Sequence, residues 1–102
     1  VALIDDVKSK NRVKTTDPGI IGELQDLIET AKADLMLSGI LNSKIETLDT
    51  TTPDPLIKRC VLLYSQAHFG LGNADSEKYQ MSYDSLKIHL CLSQEYTVEA
   101  VI

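Results

Sequence analysis

At 102 residues, 43% of them hydrophobic and 25% charged, the chain has the profile of one compact soluble domain, which excludes a two-domain protein and a disordered tail. A chain of this length buries roughly 65% of the surface it exposes when unfolded, enough for one small core without metal or disulfide staples. Ten Lys and Arg against fifteen Asp and Glu leave a net charge of -5, which disfavours wrapping nucleic acid, sequence-specific groove binding and adhesion to an anionic membrane.

The first predicted element is a short helix over residues 3–13, with Ile4 and Val7 on one side and Asp5, Asp6, Lys8 and Lys10 around them. Asp17-Pro18 then marks a helix start, because the aspartate accepts from a free helix-end amide and proline suits the first turn. In the helix expected over 18–37, Ile20, Leu24, Leu27, Ile28, Ala31 and Leu35 fall within one arc, opposite Glu23, Asp26 and Glu29. Gly39 is its stop signal. Residues 40–53 lose the helical period and turn polar and β-branched, which predicts a long connecting loop, with 44–48 as a candidate extended piece.

Asp54-Pro55 repeats the cap-then-proline signal and opens a helix over 55–69. Its apolar arc, from Leu56, Ile57, Cys60, Val61, Leu63, Tyr64 and Ala67, covers nearly half the circumference and places it at the centre of a bundle. The last helix is expected over 74–92, capped by Asn73 with Asp75 and Glu77 in its first turn. It has two stripes: Tyr79, Tyr83, Leu86 and Leu90 on one side, Met81, Ile88 and Leu92 on the other. The second stripe serves a partner or is covered by the chain itself. Finally, Tyr96, Val98, Ala100 and Ile102 alternate with Thr97 and Glu99, a strand pattern that needs an edge from elsewhere, unless the terminus is frayed. Deleting 96–102 is therefore expected to leave the helical fold intact.

Catalytic arrangements are missing from this pattern. Cys60 lies on an apolar arc where a thiolate is poorly solvated, so it does not combine with His68 and His89 into a nucleophile and base. The two histidines lack His-x-x-x-His spacing and no Cys-x-x-Cys occurs, so neither a metal nor another cofactor is expected. Gly70-Leu71-Gly72 follows a helix rather than a strand and reads as a turn, not a phosphate loop. Lys8, Lys10, Arg12 and Lys14 are spread around a helix by their spacing and read as solvated surface. Cys60 and Cys91 read as reduced, intracellular, buried thiols, the alternative being a disulfide between adjacent helices. No apolar run reaches the ~18 residues that span a bilayer and no signal-peptide pattern opens the chain, so neither membrane insertion nor export is expected.

Four segments together, residues 2–8 (ALIDDVK), 23–35 (ELQDLIETAKADL), 54–61 (DPLIKRCV) and 79–87 (YQMSYDSLK), resemble the small head-tail connector, or DNA-packaging adaptor, proteins of long-tailed double-stranded DNA bacteriophages. The resemblance covers most of the chain and rests on packing and surface patterns rather than a catalytic signature. It implies an all-helical, non-enzymatic virion protein of the neck, assembled in the host cytoplasm into a homo-oligomeric ring, typically of twelve copies, beneath the portal. Such a ring extends the DNA channel, lets double-stranded DNA pass without sequence specificity, and carries a tail-completion or stopper protein. A different reading is a small helical DNA-packaging regulator that binds nucleic acid transiently through the basic run near Lys8. Departures from the family pattern are Asn11, where an apolar residue is expected, and Pro18-Gly19 with Gly22, which weaken the start of the second helix.

The expected fold is thus all-α: a small bundle of about four helices with a long loop after the second and an extended C-terminal segment over 96–102. The expected oligomer or partner interface is Met81, Ile88 and Leu92 of the last helix with Tyr96, Val98, Ala100 and Ile102 of the tail.

Overall fold

Both Asp-Pro pairs do start helices. The computed structural model describes residues 3–12, 17–69 and 75–98, and gives, in chain order, α1 (Leu3–Lys10), α2 (Pro18–Leu37), α3 (Asn42–Glu46), a 3-10 turn (Thr47–Asp49), α4 (Pro55–His68), α5 (Ser76–Cys91) and α6 (Gln94–Thr97). At the head of α2 the Asp17 carboxylate accepts from the Gly19 amide at 2.9 Å, and at the head of α4 Asp54 accepts from Leu56 and Ile57 at 3.0 and 3.2 Å. Each occupies donors that have no partner within the helix.

α2 stops as its sequence dictates. Gly39 takes φ +100°, which lets its amide reach Met36 O and the Ile40 amide reach Leu35 O, both at 3.1 Å. This paired closure satisfies carbonyls that the helix end leaves open, and it requires a residue at home in the left-handed region.

α4 is the central element, packed against α1, α2 and α5. Ile57, Cys60, Val61, Leu62 and Leu63 are all buried, and around them close Val7 of α1, Leu24, Ile28, Ala31 and Leu35 of α2, and Tyr83 and Leu90 of α5. The all-α bundle is as expected. Cys60 is buried, Cys91 half-buried, and both are free thiols.

Three expectations are corrected. Residues 40–53 are not an irregular loop: α3 and the 3-10 turn fill most of that stretch, with Ile40, Ile45 and Leu48 in the core. The polar half is tied by its own hydroxyls, Thr47 Oγ1 donating to Lys44 O and Thr50 Oγ1 to Thr47 O, both at 2.7 Å, while the Asp54 amide donates to Thr47 Oγ1 at 2.9 Å. These bonds replace ladder partners and hold the chain helical rather than extended.

The second correction concerns the tail. Gln94–Thr97 is a helical turn and only Val98, its C-cap, is extended; Ala100 and Ile102 lie outside the described residues. Tyr96 is 7% exposed and belongs to the core. Tertiary contact overrides the alternation here: Tyr96 Oη donates to both oxygens of Asp54 at 3.0 Å, and Tyr96 O accepts from the Leu41 amide at 2.8 Å. A deletion beginning at Tyr96 therefore removes core.

Third, α1 ends at Lys10 rather than at 13. Arg12 sits at φ 57°, and Asn11 folds back so that its Nδ2 donates to Val7 O at 2.9 Å and to Ser65 Oγ of α4 at 3.1 Å. Ser65 is fully buried and donates in turn to Leu62 O at 2.7 Å. A polar residue at 11 is thus the partner of a buried hydroxyl, which an apolar one would leave half-satisfied. α5 begins at Ser76 with Asp75 at its N-cap; Asn73, the expected cap, lies outside the described residues.

Candidate interaction surface

α5 is placed by its inner face. Tyr83 is fully buried and donates from Oη to Asp34 Oδ2 of α2 at 2.6 Å, while Lys87 Nζ reaches the same oxygen at 2.9 Å. The Tyr83 ring also packs edge-on against Tyr64 of α4, with centroids 5.2 Å apart. Burial alone would raise the Asp34 carboxyl, but the hydrogen bonds from Tyr83 and Lys87 and the charge of Lys87 together outweigh it and hold the carboxyl below its ordinary range. Hydrogen bonding to Asp34 raises Lys87, and burial followed by the bond to Asp34 raises Tyr83. The clasp is therefore ionic and fixes the rotation of α5.

That rotation turns Met81, Ile88 and Leu92 outward, exposed by 67%, 57% and 80%. At 100° per residue the exposed Lys78, Ser82, Ser85 and His89 continue this arc on one side, and Glu77 and Asp84, one turn before Met81 and Ile88, border it on the other. The second stripe is not covered by the chain's own described elements. Of the remaining predicted interface residues, Val98 is exposed at the end of α6, Tyr96 is buried and does not join the stripe, and Ala100 and Ile102 lie outside the described residues.

A second surface was not foreseen. α1, α2 and the 3-10 turn enclose an open groove of about 880 Å3. Leu3, Ile4, Ile28 and Leu48 form its apolar lining; Asp26, Glu29 and Asp49 form an acidic rim, where Lys32 bridges Glu29 at 3.5 Å and Asp49 at 3.3 Å. Its existence depends on how the 3-10 turn docks, which no local pattern encodes. Met36 and Leu37, exposed at the end of α2, are further apolar residues missed from sequence; both lie off the arc that α2 buries, which was the available signal.

Cys60 is no nucleophile in this setting, since burial, reinforced by Cys91, pushes its thiol up to about 12. His68 Nε2 shares a hydrogen bond of 2.6 Å with Gln80 Oε1 of α5. Among the described residues no group of three His, Cys, Asp or Glu side chains is placed to hold a metal, and no helix is long and apolar enough to cross a membrane.

Fold and surface together define a small helical bundle whose last long helix is apolar front and back. Residues 3–97 match the model of the phage connector protein family, and the chain belongs to that family. It is accordingly a structural head-tail connector protein, a virion component that interacts with other virion proteins. Comparison with curated proteins and with solved structures gives no match.

Proposed function

We propose that the protein acts without catalysis, as a ring of identical subunits, typically twelve, seated between the portal and a tail-completion or stopper protein and extending the channel through which DNA passes. The observation that carries this reading is the outward stripe Met81, Ile88 and Leu92, on a helix whose other face is core, in a chain of the connector family. Large apolar side chains gathered on one exposed face mark a contact surface. The apolar alternation that continues from Val98 to Ala100 and Ile102 in the sequence offers a second contact, toward portal or tail. A net charge of -5 suits a conduit, because walls of like sign do not hold a phosphate backbone.

The test is mass photometry of the protein alone and with portal from the same virus, beside Ile88→Glu and Leu92→Glu variants checked by circular-dichroism melts. The expected result is a ring, alone or on the portal, that both variants lose while keeping their melting temperatures. A persistent monomer that ignores the portal overturns the reading, and a steep salt-dependent affinity for duplex DNA would replace it with the regulator.

A further inference from the structure

α4 is central but keeps one strip at the surface. Leu56 is 43% exposed, and Arg59, one turn further on, is exposed as well. Gln66, two turns beyond Arg59 on the same strip, reaches Lys10 O at 3.5 Å, so the exposed Lys10 and Arg12 at the end of α1 extend it. No Asp or Glu occurs from Pro55 to His68. Carboxylates around the head of α4 are already engaged: Asp54 by the amides of Leu56 and Ile57 and by Tyr96, Asp6 by Lys58 at 2.8 Å, and Glu95 by Lys44 at 3.8 Å. Arg59 itself has no ion pair among the described residues.

The groove has the opposite character. Its apolar floor lies under Asp26, Glu29 and Asp49; Lys32 is shared between Glu29 and Asp49, and the Asp26 carboxylate has no ion pair among the described residues. Asp5, on the crest of α1 between strip and groove, and Lys8, one turn past Ile4, offset each other. Strip and groove open in different directions, because Lys58, the α4 side chain that reaches α1, stands about 100° before Arg59 round the helix. Each chain thus carries an apolar side chain beside an unpaired cation on one face, and an apolar floor beside an unpaired carboxylate on another. A second copy brings the missing half of each, and a contact between unlike faces propagates head to tail until rotation closes it.

We propose, resting on the ring reading above, that the outer α4 strip of one copy docks in the groove of the next, with Leu56 on the apolar floor and Arg59 against Asp26.

The test is a charge swap, read by mass photometry of the full chain with portal over a concentration series. Arg59→Glu and Asp26→Lys each set like charges face to face and are expected to raise the concentration at half-assembly roughly tenfold or more. The double variant, which carries the pair reversed, is expected to return to within about threefold of wild type. Both residues are exposed, so circular-dichroism melts should not move. Where a reversal does lower the melt, Arg59→Gln and Asp26→Asn replace it, and their double variant should assemble no worse than either single one. Losses that simply add in the double variant would overturn the contact, and so would a loss from Arg59→Glu with none from Asp26→Lys, which would give the strip to a different partner. A ring indifferent to both changes would overturn the contact and leave the ring reading intact. Absence of any wild-type assembly with portal would overturn both.

Discussion

Tyr83 combines a buried ring with a hydroxyl aimed at a half-exposed carboxylate, so one side chain both fills the core and fixes the register between α2 and α5. Tyr83→Phe keeps the ring and removes the donor, and is expected to cost about 1 kcal/mol at neutral pH, read from urea denaturation. The sign of its pH dependence follows from Asp34. A carboxyl held below its ordinary value in the folded state contributes stability that is complete above the unfolded value and is lost as pH falls through the folded one. The gap between wild type and Tyr83→Phe should therefore be flat from neutral pH to about 5 and shrink below about 4, the ordinary carboxylate range. Lys87, raised by the same contact, gives up its share only in strongly alkaline solution. At this scale the sequence was legible where a residue's role is local, as with the caps Asp17 and Asp54. It was silent on Asn11, whose partner Ser65 is 54 positions away.

At the scale of elements, α2 and α4 could be read almost to the residue because caps, proline and a 3.6 period agree at both helices. α3 was hidden by the threonines around it, although Leu41, Ile45 and Leu48 stand at i, i+4 and i+7, a helical spacing that the β-branched composition masked. α6 reads as a strand in the sequence because four residues are too few for the helical period to show against an alternating pattern. Two glycines of α2 and its end give opposite expectations. At Gly22 an added Cβ meets nothing within 4 Å and the backbone is helical, so Gly22→Ala should stabilise by about 0.5–1 kcal/mol. At Gly39, with φ +100°, the same change should destabilise by roughly 1 kcal/mol. Shifts of the urea midpoint in opposite directions, with unchanged slopes, would verify both.

The whole molecule extends 46 × 28 × 18 Å, a flat body with α4 inside and the α5 stripe and acidic groove on separate sides. The stripe was legible as a period, since Met81, Ile88 and Leu92 could not share an arc with Tyr83 and Leu90; the groove was not, since it needs α1, α2 and the 3-10 turn assembled. Tyr96 belongs to the core of the described residues. A chain truncated after Val98 should melt like the full chain, while one truncated after Glu95 should lose about 3–5 kcal/mol, the usual cost of removing a large buried aromatic. Equal melts for the two would return Tyr96 to the tail.

Tyr96 also decides how the chain carries load. Its hydroxyl grips Asp54, the residue that caps α4, and its carbonyl is held by the Leu41 amide. Tension applied to the chain beyond Val98 is passed through these bonds to the head of the central helix rather than peeling a loose end from the surface. A strap anchored in this way lets the bundle take strain as one body.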